Sequence, residues 1–578
     1  MKSGKKINKG FLTTLLALFA MLVVACEGGS GTSNVTRIST STKAHAAQQI
    51  LNLPLLVPDI QTLDPGQALN QPSAQVITAI FTGLVQLNDQ LQVTPQMATT
   101  WTSSSDHLTW TFTLKSGMKF SDGTFLTSAD VAYSIDRALS PQISHLSGDA
   151  LIYLGLIKDS NKRTAGKIPT LINDSLLTPD SNTVVIKLNQ ASPYFLQTLS
   201  YPASYVVEKK IITQWGLQWT DHLTDNGGQG GTGPFMVSSY DHTKGINLVP
   251  NPNYYGPKPQ LMKLNFFFYK SPTTQYEVYQ AGQLDETAIP TANYEQASMR
   301  SGFSKNPDLM ISYYSMNYLI KPFDNIHIRQ AFELAINKDV LAQIVYNGRT
   351  IPTCHIVPLG MPGYNPNLQC PGGGTTSGDA TKARELFKQG LQEENLALAT
   401  LTPIKITYLK GNPEQDQEIK AVRLMWQHIL GVNIQPDPVD FDVLLIDLDN
   451  TIHNPNGLQM WAIGWIAEYT DPRDLTTLQF GQSSPYNISN YGQNKSSDTV
   501  QQQQVQKQLE QADMNNDVKD RFQMYNLAEQ QLVNDVAWLP IWQNETARLL
   551  KPYVIGRVYN DLGLVPPDDW AKVYIAAH

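Results

Sequence analysis

The sequence predicts an α/β protein, and three local patterns carry that expectation. Leu108, Trp110, Phe112 and Leu114 alternate with Thr109, Thr111 and Thr113, which puts every apolar side chain on one face of a strand. Ile419, Val422, Met425, Trp426 and Ile429 recur at helical spacing and stop at Gly431, a residue suited to the left-handed end of a helix. Val432-Asn433-Ile434 then reads directly as a strand, so helix and strand alternate as in a βαβ connection.

The remaining elements follow in the same way. Ser116-Gly117 and Ser121-Asp122-Gly123 turn the chain after the first strand, and Thr127 with Asp130 three residues on opens a helix through Val131, Ile135 and Leu139. Thr183 to Leu188 and Leu264 to Tyr269 read as strands, whereas Ile328, Ala331, Phe332, Ala335 and Ile336 sit at helical spacing. Near the end Asp517 caps a helix carrying Val518, Phe522, Tyr525 and Leu532, and Trp538 to Trp542 re-enters a strand. These apolar stripes are read as core packing. Gln501 to Gln504 are expected on a solvated helix face, and the chain has no tandem repeat.

Lys2, Lys5, Lys6 and Lys9 precede an apolar run from Phe11 to Val24 that ends in Ala25-Cys26. As a helix the run spans only ~21 Å, short of the ~30 Å hydrocarbon core. It reads as a secretory leader, residues 1–25. A small residue before a cysteine here resembles the lipobox of bacterial lipoproteins, in which Cys26 is acylated and becomes the mature N-terminus; an ordinary signal peptide with an incidental cysteine is the alternative. Residues 26–47 are rich in Gly, Ser, Thr and Ala, too poor in apolar groups for a core, and read as a flexible tether.

The rest is globular in composition, with 41% apolar and 16% charged residues over the whole chain and no second apolar run long enough to span a bilayer. A net charge of −8 argues against nucleic acid, whose binding needs a basic face. Cys354 and Cys370 flank a loop rich in Pro, Gly and Asn. In an oxidising compartment a disulfide there would stabilise by ~3 kcal/mol; two free thiols or a metal site with His355 are the alternatives. Gly228, Gly230 and Gly233 have the spacing of a dinucleotide loop, but polar Thr224-Asp225-Asn226 precedes it and the strand-like Pro234-Phe235-Met236-Val237 follows, the wrong context. The usual hydrolase, zinc-peptidase, phosphate-loop and Cys-x-x-Cys motifs are absent from the sequence. Glu393-Glu394 and Asp568-Asp569 read as solvated surface.

Nine segments in order resemble the family 5 solute-binding proteins, which include oligopeptide-, dipeptide- and nickel-binding components of ABC importers. They are Thr62-Leu63-Asp64-Pro65, Ile80-Phe81-Thr82-Gly83-Leu84, Pro95-Gln96-Met97-Ala98 with Trp101, Lys119 to Gly123, Gly231 to Phe235, Asn251 to Tyr255, Ala281 to Asp285, Ile328 to Ala331, and Gly464 to Pro472. The resemblance spans nearly the whole mature chain. It implies a two-lobed, periplasmic-binding-protein-like α/β fold with a hinged ligand cleft. The first lobe would be 48–81, 205–312 and 548–578, with an extra subdomain at 82–204, and the second lobe 313–547. Hinge crossings are expected near Ser312 and Arg548.

In peptide-binding members the ligand lies extended between the lobes and pairs with backbone on both. The resemblance places that backbone at Leu69, Asn70 and Gln71 and at Gly464, Trp465 and Ile466. It makes Glu468 the acid for the ligand's α-ammonium and adds Phe441 to the ligand-binding set. Glutamate is one methylene longer than the family's common aspartate, and Ala462 stands where some members have a carboxylate-binding arginine. A rim ion pair of Glu468 with Arg473 is the competing reading. The expected protein is a monomeric, non-enzymatic lipoprotein on the extracytoplasmic face of the cell membrane, free of cofactor and metal. It captures oligopeptides for an ABC transporter permease. Another solute (an oligosaccharide or a metal chelate), a surface glycan hydrolase and a sensor are the alternatives.

Overall fold

The computed structural model describes residues 42–68, 70–147, 150–401 and 403–578. The leader, Cys26 and Leu69 lie outside the described residues. The tether's expected end at Ala47 comes earlier, because Lys43 already bridges Ala576 and the Ala44 N–H donates to the Ile575 carbonyl at 2.9 Å.

The architecture is two α/β lobes with an inserted subdomain. In the first lobe Ile50–Leu55 lies parallel to Lys263–Phe268, which continues antiparallel through Gly245–Pro250 to Phe235–Asp241. The inserted sheet runs Ala98–Ser103, Thr109–Leu114, Thr183–Lys187, Leu176–Asp180. Trp110, Phe112 and Leu114 are buried as their alternation predicts. The helix Ser128–Ala138 packs on this sheet, and the Thr127 N–H donates to Asp130 Oδ2 at 2.8 Å, closing the expected capping box. In the second lobe Ile404–Leu409 and Ile434–Val439 are parallel and joined by the helix Pro413–Leu430, which ends on Gly431 at φ 73°. This is the βαβ unit read from the sequence.

Two long strands, Phe303–Met316 and Leu539–Leu550, run antiparallel through the largest sheet. At one end Leu539–Leu550 pairs with Glu286–Ala288; further along it pairs with Thr350–Pro352. Between them the register breaks: Pro307 lies opposite Glu545 but Ile311 opposite Gln543. The Asp308 side chain fills the gap and accepts from Asn544 and Thr546.

Several of the family-like motifs are scaffolding. Asp64 accepts from Arg137 Nη1 at 2.9 Å and Trp219 Nε1 at 3.1 Å, tying the first lobe to the inserted helix. The Ser121 N–H donates to the Gly231 carbonyl, and Asn253 Nδ2 to the Ser121 carbonyl, so three motifs meet. The Thr232 and Gly233 amides both donate to the Ile80 carbonyl; a Cβ on Gly233 would lie 2.6 Å from the Ile80 carbonyl carbon, so only glycine fits this approach. Arg329, fully buried over the Tyr318 ring, donates to the Asp535 and Phe323 carbonyls and to Asp498. Cys354 and Cys370 are bonded to each other across their loop. Three further expectations fail: Gln502 is buried, accepting from the Gly492 N–H and donating to Asp498, while its neighbours in the run are exposed; Asp568 is half-buried and accepts from Gln86 Nε2 and Tyr254 Oη instead of facing solvent; and Val518, at the open first turn of its helix, is exposed instead of packed in the core. No helix among the described residues is long and apolar enough to cross a membrane.

Candidate ligand-binding site

The strand Met460–Ile466 is paired along its whole length with Met310–Met316, with Gly464 opposite Ser312 and Ile466 opposite Met310. Its other edge is covered for only half that length. Ile404–Leu409 pairs with Met460, Trp461 and Ala462 and then diverges. From Ile463 to Ile466 that edge has no strand beside it among the described residues. Such an edge presents a row of backbone N–H and C=O groups to an incoming strand.

A cavity of about 320 Å³ lies along this segment, lined by Ala462, Ile463, Gly464, Met310 and Phe441. Phe441 opens the helix Phe441–Asp449 and is 53% exposed, so it shares the cavity with Gly464. Glu418 also lines it and accepts from Tyr314 Oη, Tyr346 Oη and Trp542 Nε1, each at 2.7 Å. Burial raises the Glu418 carboxyl against the opposing pull of those three donors. Ala462 brings no charge to the cavity. Arg349, paired with Glu414, is the lysine or arginine that lines it.

Two residues beyond the strand end stands Glu468. Its backbone N–H donates to Asp474 Oδ2 at 3.1 Å, and Trp465 Nε1 donates to the same oxygen at 3.0 Å. Burial first, and the Glu468 charge second, hold the Asp474 carboxyl well above the usual range. The Glu468 carboxylate accepts from Tyr153 Oη, carried by the inserted helix Ala150–Leu154. Tyr153 stacks on Tyr201 with ring centroids 3.9 Å apart. Arg473, the competing partner for Glu468, donates to Tyr469 Oη at 2.7 Å and to Asp513 Oδ2 at 3.1 Å, so two of its N–H groups are engaged elsewhere.

Glu468 lines a cleft of about 20 Å³ together with Tyr201, Tyr205 and Leu562. Past it, Arg473 lines a cavity of about 720 Å³ with Ile152, Lys162, Tyr194 and Tyr486. Tyr486 packs edge-on against Trp465. The chain from Ala462 to Arg473 thus passes three neighbouring voids. Ile466 is 52% exposed at the strand end.

The first-lobe residues are used differently. Asn70 has extended backbone, φ −121° and ψ 151°, and its side chain caps the helix Gln71–Ile80 by accepting from the Ser73 N–H. Gln71 is the first helical residue, and its side chain donates to the Leu562 carbonyl at 3.3 Å, on the loop that lines the Glu468 cleft. Of the described residues in that trio, Asn70 alone has strand-like backbone.

Sequence reasoning missed Tyr153, Asp474, Arg349 and Glu418. Tyr153 reaches Glu468 across 315 residues, a contact no local pattern encodes. Asp474 had a signal: Glu468, Asp471 and Asp474 recur every third residue, close enough to repel one another. Among the described residues no group of His, Cys, Asp or Glu is arranged to hold a metal ion.

The chain is 25% identical over 542 residues to the oligopeptide-binding protein OppA of Bacillus subtilis, covering 92% of this chain and 93% of that protein. It is 28% identical over 536 residues to the periplasmic murein peptide-binding protein MppA of Escherichia coli, covering 89% and 91%. The fold is similar to that of the periplasmic murein tripeptide-binding protein MppA, solved in an unliganded open form, with a TM-score of 0.73 at 24% identity over 93% of this chain and 99% of that one. Haemophilus influenzae OppA in complex with RPPGFSPFR gives a TM-score of 0.70 at 20% identity, over 92% and 99%. The model of the bacterial extracellular solute-binding proteins, family 5 Middle, matches residues 92–487. With more than half its length matched, the chain belongs to the bacterial extracellular solute-binding proteins of family 5.

Proposed function

We propose that this protein is an extracytoplasmic lipoprotein that binds oligopeptides and passes them to the permease of an ABC importer. The observation that carries the reading is the half-covered strand Met460–Ile466, whose open edge ends two residues before Glu468. A peptide added along Ile463–Ile466 would place its α-ammonium at Glu468 and its side chains in the flanking cavities. With Ala462 uncharged, Arg349 is the cation within the same cavity for the ligand's carboxylate. Relatives named for oligopeptide, dipeptide and murein peptide binding support the ligand class.

We read the lobes as 48–81 with 205–312 and 548–578, against 313–547, and the inserted subdomain as 82–204. We place the hinge in the crossing strands near Ser312 and Arg548, a reading supported by the breaks in their register between Pro307 and Ile311 and again between Ser312 and Tyr313. Small-angle scattering should give a smaller radius of gyration with a bound peptide than without. An unchanged radius at saturation would mean a rigid, preformed site.

The anchor reading rests on the leader ending in Ala25-Cys26. Cys26→Ala should abolish incorporation of a labelled fatty acid. Equal label in both proteins would refute acylation at Cys26.

A further inference from the structure

Toward the other end of the crossing strands from Gly464, four cations line two adjoining cavities. One, of about 330 Å³, includes Ser304, Arg548, Lys551, Arg557 and Glu286 in its walls. The other, of about 320 Å³, includes Tyr279, Arg300 and Lys551. Lys551 and Pro552 belong to both, which makes them one groove.

The acids there are fewer than the four cations: Glu286 lines the groove, Asp285 adjoins it, and Asp308 acts on Arg548 from the crossing strand. Glu286 lies 3.8 Å from Arg548 Nε and 3.4 Å from Arg557 Nε. Asp285 is buried and already accepts from Tyr553 Oη and the Asn52 N–H, each at 2.7 Å. Arg300 and Lys551 form no ion pair among the described residues. Aromatic faces hold three of the cations: Lys551 lies 4.2 Å from the Tyr279 ring centroid, and Arg548 and Arg557 each 3.9 Å from that of Tyr559. Such contacts position a cation without neutralising it. In a chain of net charge −8, a concave basic surface of this kind focuses its field on an anion.

We propose that this groove binds a phosphate-type anion through Arg548, Lys551 and Arg300. Guanidinium forks match the paired oxygens of phosphate, and an ammonium adds a point charge. The anion could be free phosphate or the phosphate of a lipid headgroup. The second source rests on the lipid anchor proposed above, because the chain that would carry it joins the described body beside this groove. Lys43, at the start of the described body, bridges Ala576, whose N–H donates to the Tyr553 carbonyl two residues from Lys551.

The test uses the full mature chain at low ionic strength. Inorganic phosphate is titrated by calorimetry, and phosphatidylglycerol vesicles are compared with phosphatidylcholine vesicles by co-sedimentation. The double variant Arg300→Gln with Lys551→Gln removes two cations that hold no ion pair, so its fold should survive; Arg548→Gln is a second variant. Lys258→Gln, at an exposed position of the first lobe outside the groove, controls for charge alone. Saturable phosphate binding that the groove variants weaken roughly tenfold or more, with Lys258→Gln unchanged, establishes the site for the free anion. Binding to the acidic vesicles only, lost in the same variants, assigns it to the headgroup. Absence of both interactions, or equal loss in Lys258→Gln and the groove variants, overturns the proposal.

Discussion

Replacing Glu468 by glutamine should weaken binding of a peptide with a free amino terminus by roughly 30-fold or more. The magnitude follows from desolvation: breaking a buried, hydrogen-bonded charge pair costs ~2–5 kcal/mol, whereas an exposed rim carboxylate gives ~1 kcal/mol or less. The setting of Glu468 favours the larger figure. It lines a cleft of only about 20 Å³, Tyr153 donates to it, and burial together with the Glu468 charge holds the neighbouring Asp474 carboxyl above the usual range. Acetylating the peptide should impair wild type strongly and Glu468→Gln little, because the interaction is already absent there. Calorimetry on both peptides with both proteins completes a double-mutant cycle. Equal binding of free and acetylated peptide to wild type would remove the amine site from Glu468.

The second large effect is on stability. Arg521 grips Asp471 through Nη1 to Oδ2 at 2.7 Å and Nη2 to Oδ1 at 2.5 Å, with the two side chains 4% and 3% exposed. Asp471→Ala would strand the guanidinium where water cannot reach it, at a cost of roughly 3–5 kcal/mol. Asp517→Ala is the comparison. Asp517 caps the helix Val518–Asn534 that carries Arg521, and losing its bond to the Asp520 N–H should cost only ~1 kcal/mol. Urea unfolding should show a much larger fall in midpoint for Asp471→Ala. Similar small losses in both variants would mean that the pair contributes as a solvated one does. Asp471 lies three residues from Glu468, so the pair also pins that loop to the helix Val518–Asn534.

Where side-chain pattern and local hydrogen bonding decide the structure, the sequence was readable. The alternation at Thr109–Leu114, the box at Thr127 and Asp130, the cap at Asp517 and the stop at Gly431 each depend on neighbours within a few residues. The long strand Phe303–Met316 was not readable, because Pro307 cannot donate to a ladder and Ser304, Lys305 and Asn306 resemble a loop. Leu539–Leu550 supplies the pairing that overrides those preferences. Gln502 misled for a related reason: a polar residue in a glutamine run reads as solvated, yet its amide satisfies Asp498 and Gly492 in the interior. At the site, the segment Gly464 to Glu468 stood out through its resemblance to a family. Tyr153 and Arg349 come from other elements and meet it only in three dimensions.

Native mass spectrometry of the protein purified from its own host without refolding shows whether the cleft takes peptides. Bound species are expected whose masses and fragments resolve into amino-acid residues and which an added oligopeptide displaces. Retained masses that fragment as sugars or a metal chelate, unmoved by excess peptide, would contradict peptide binding.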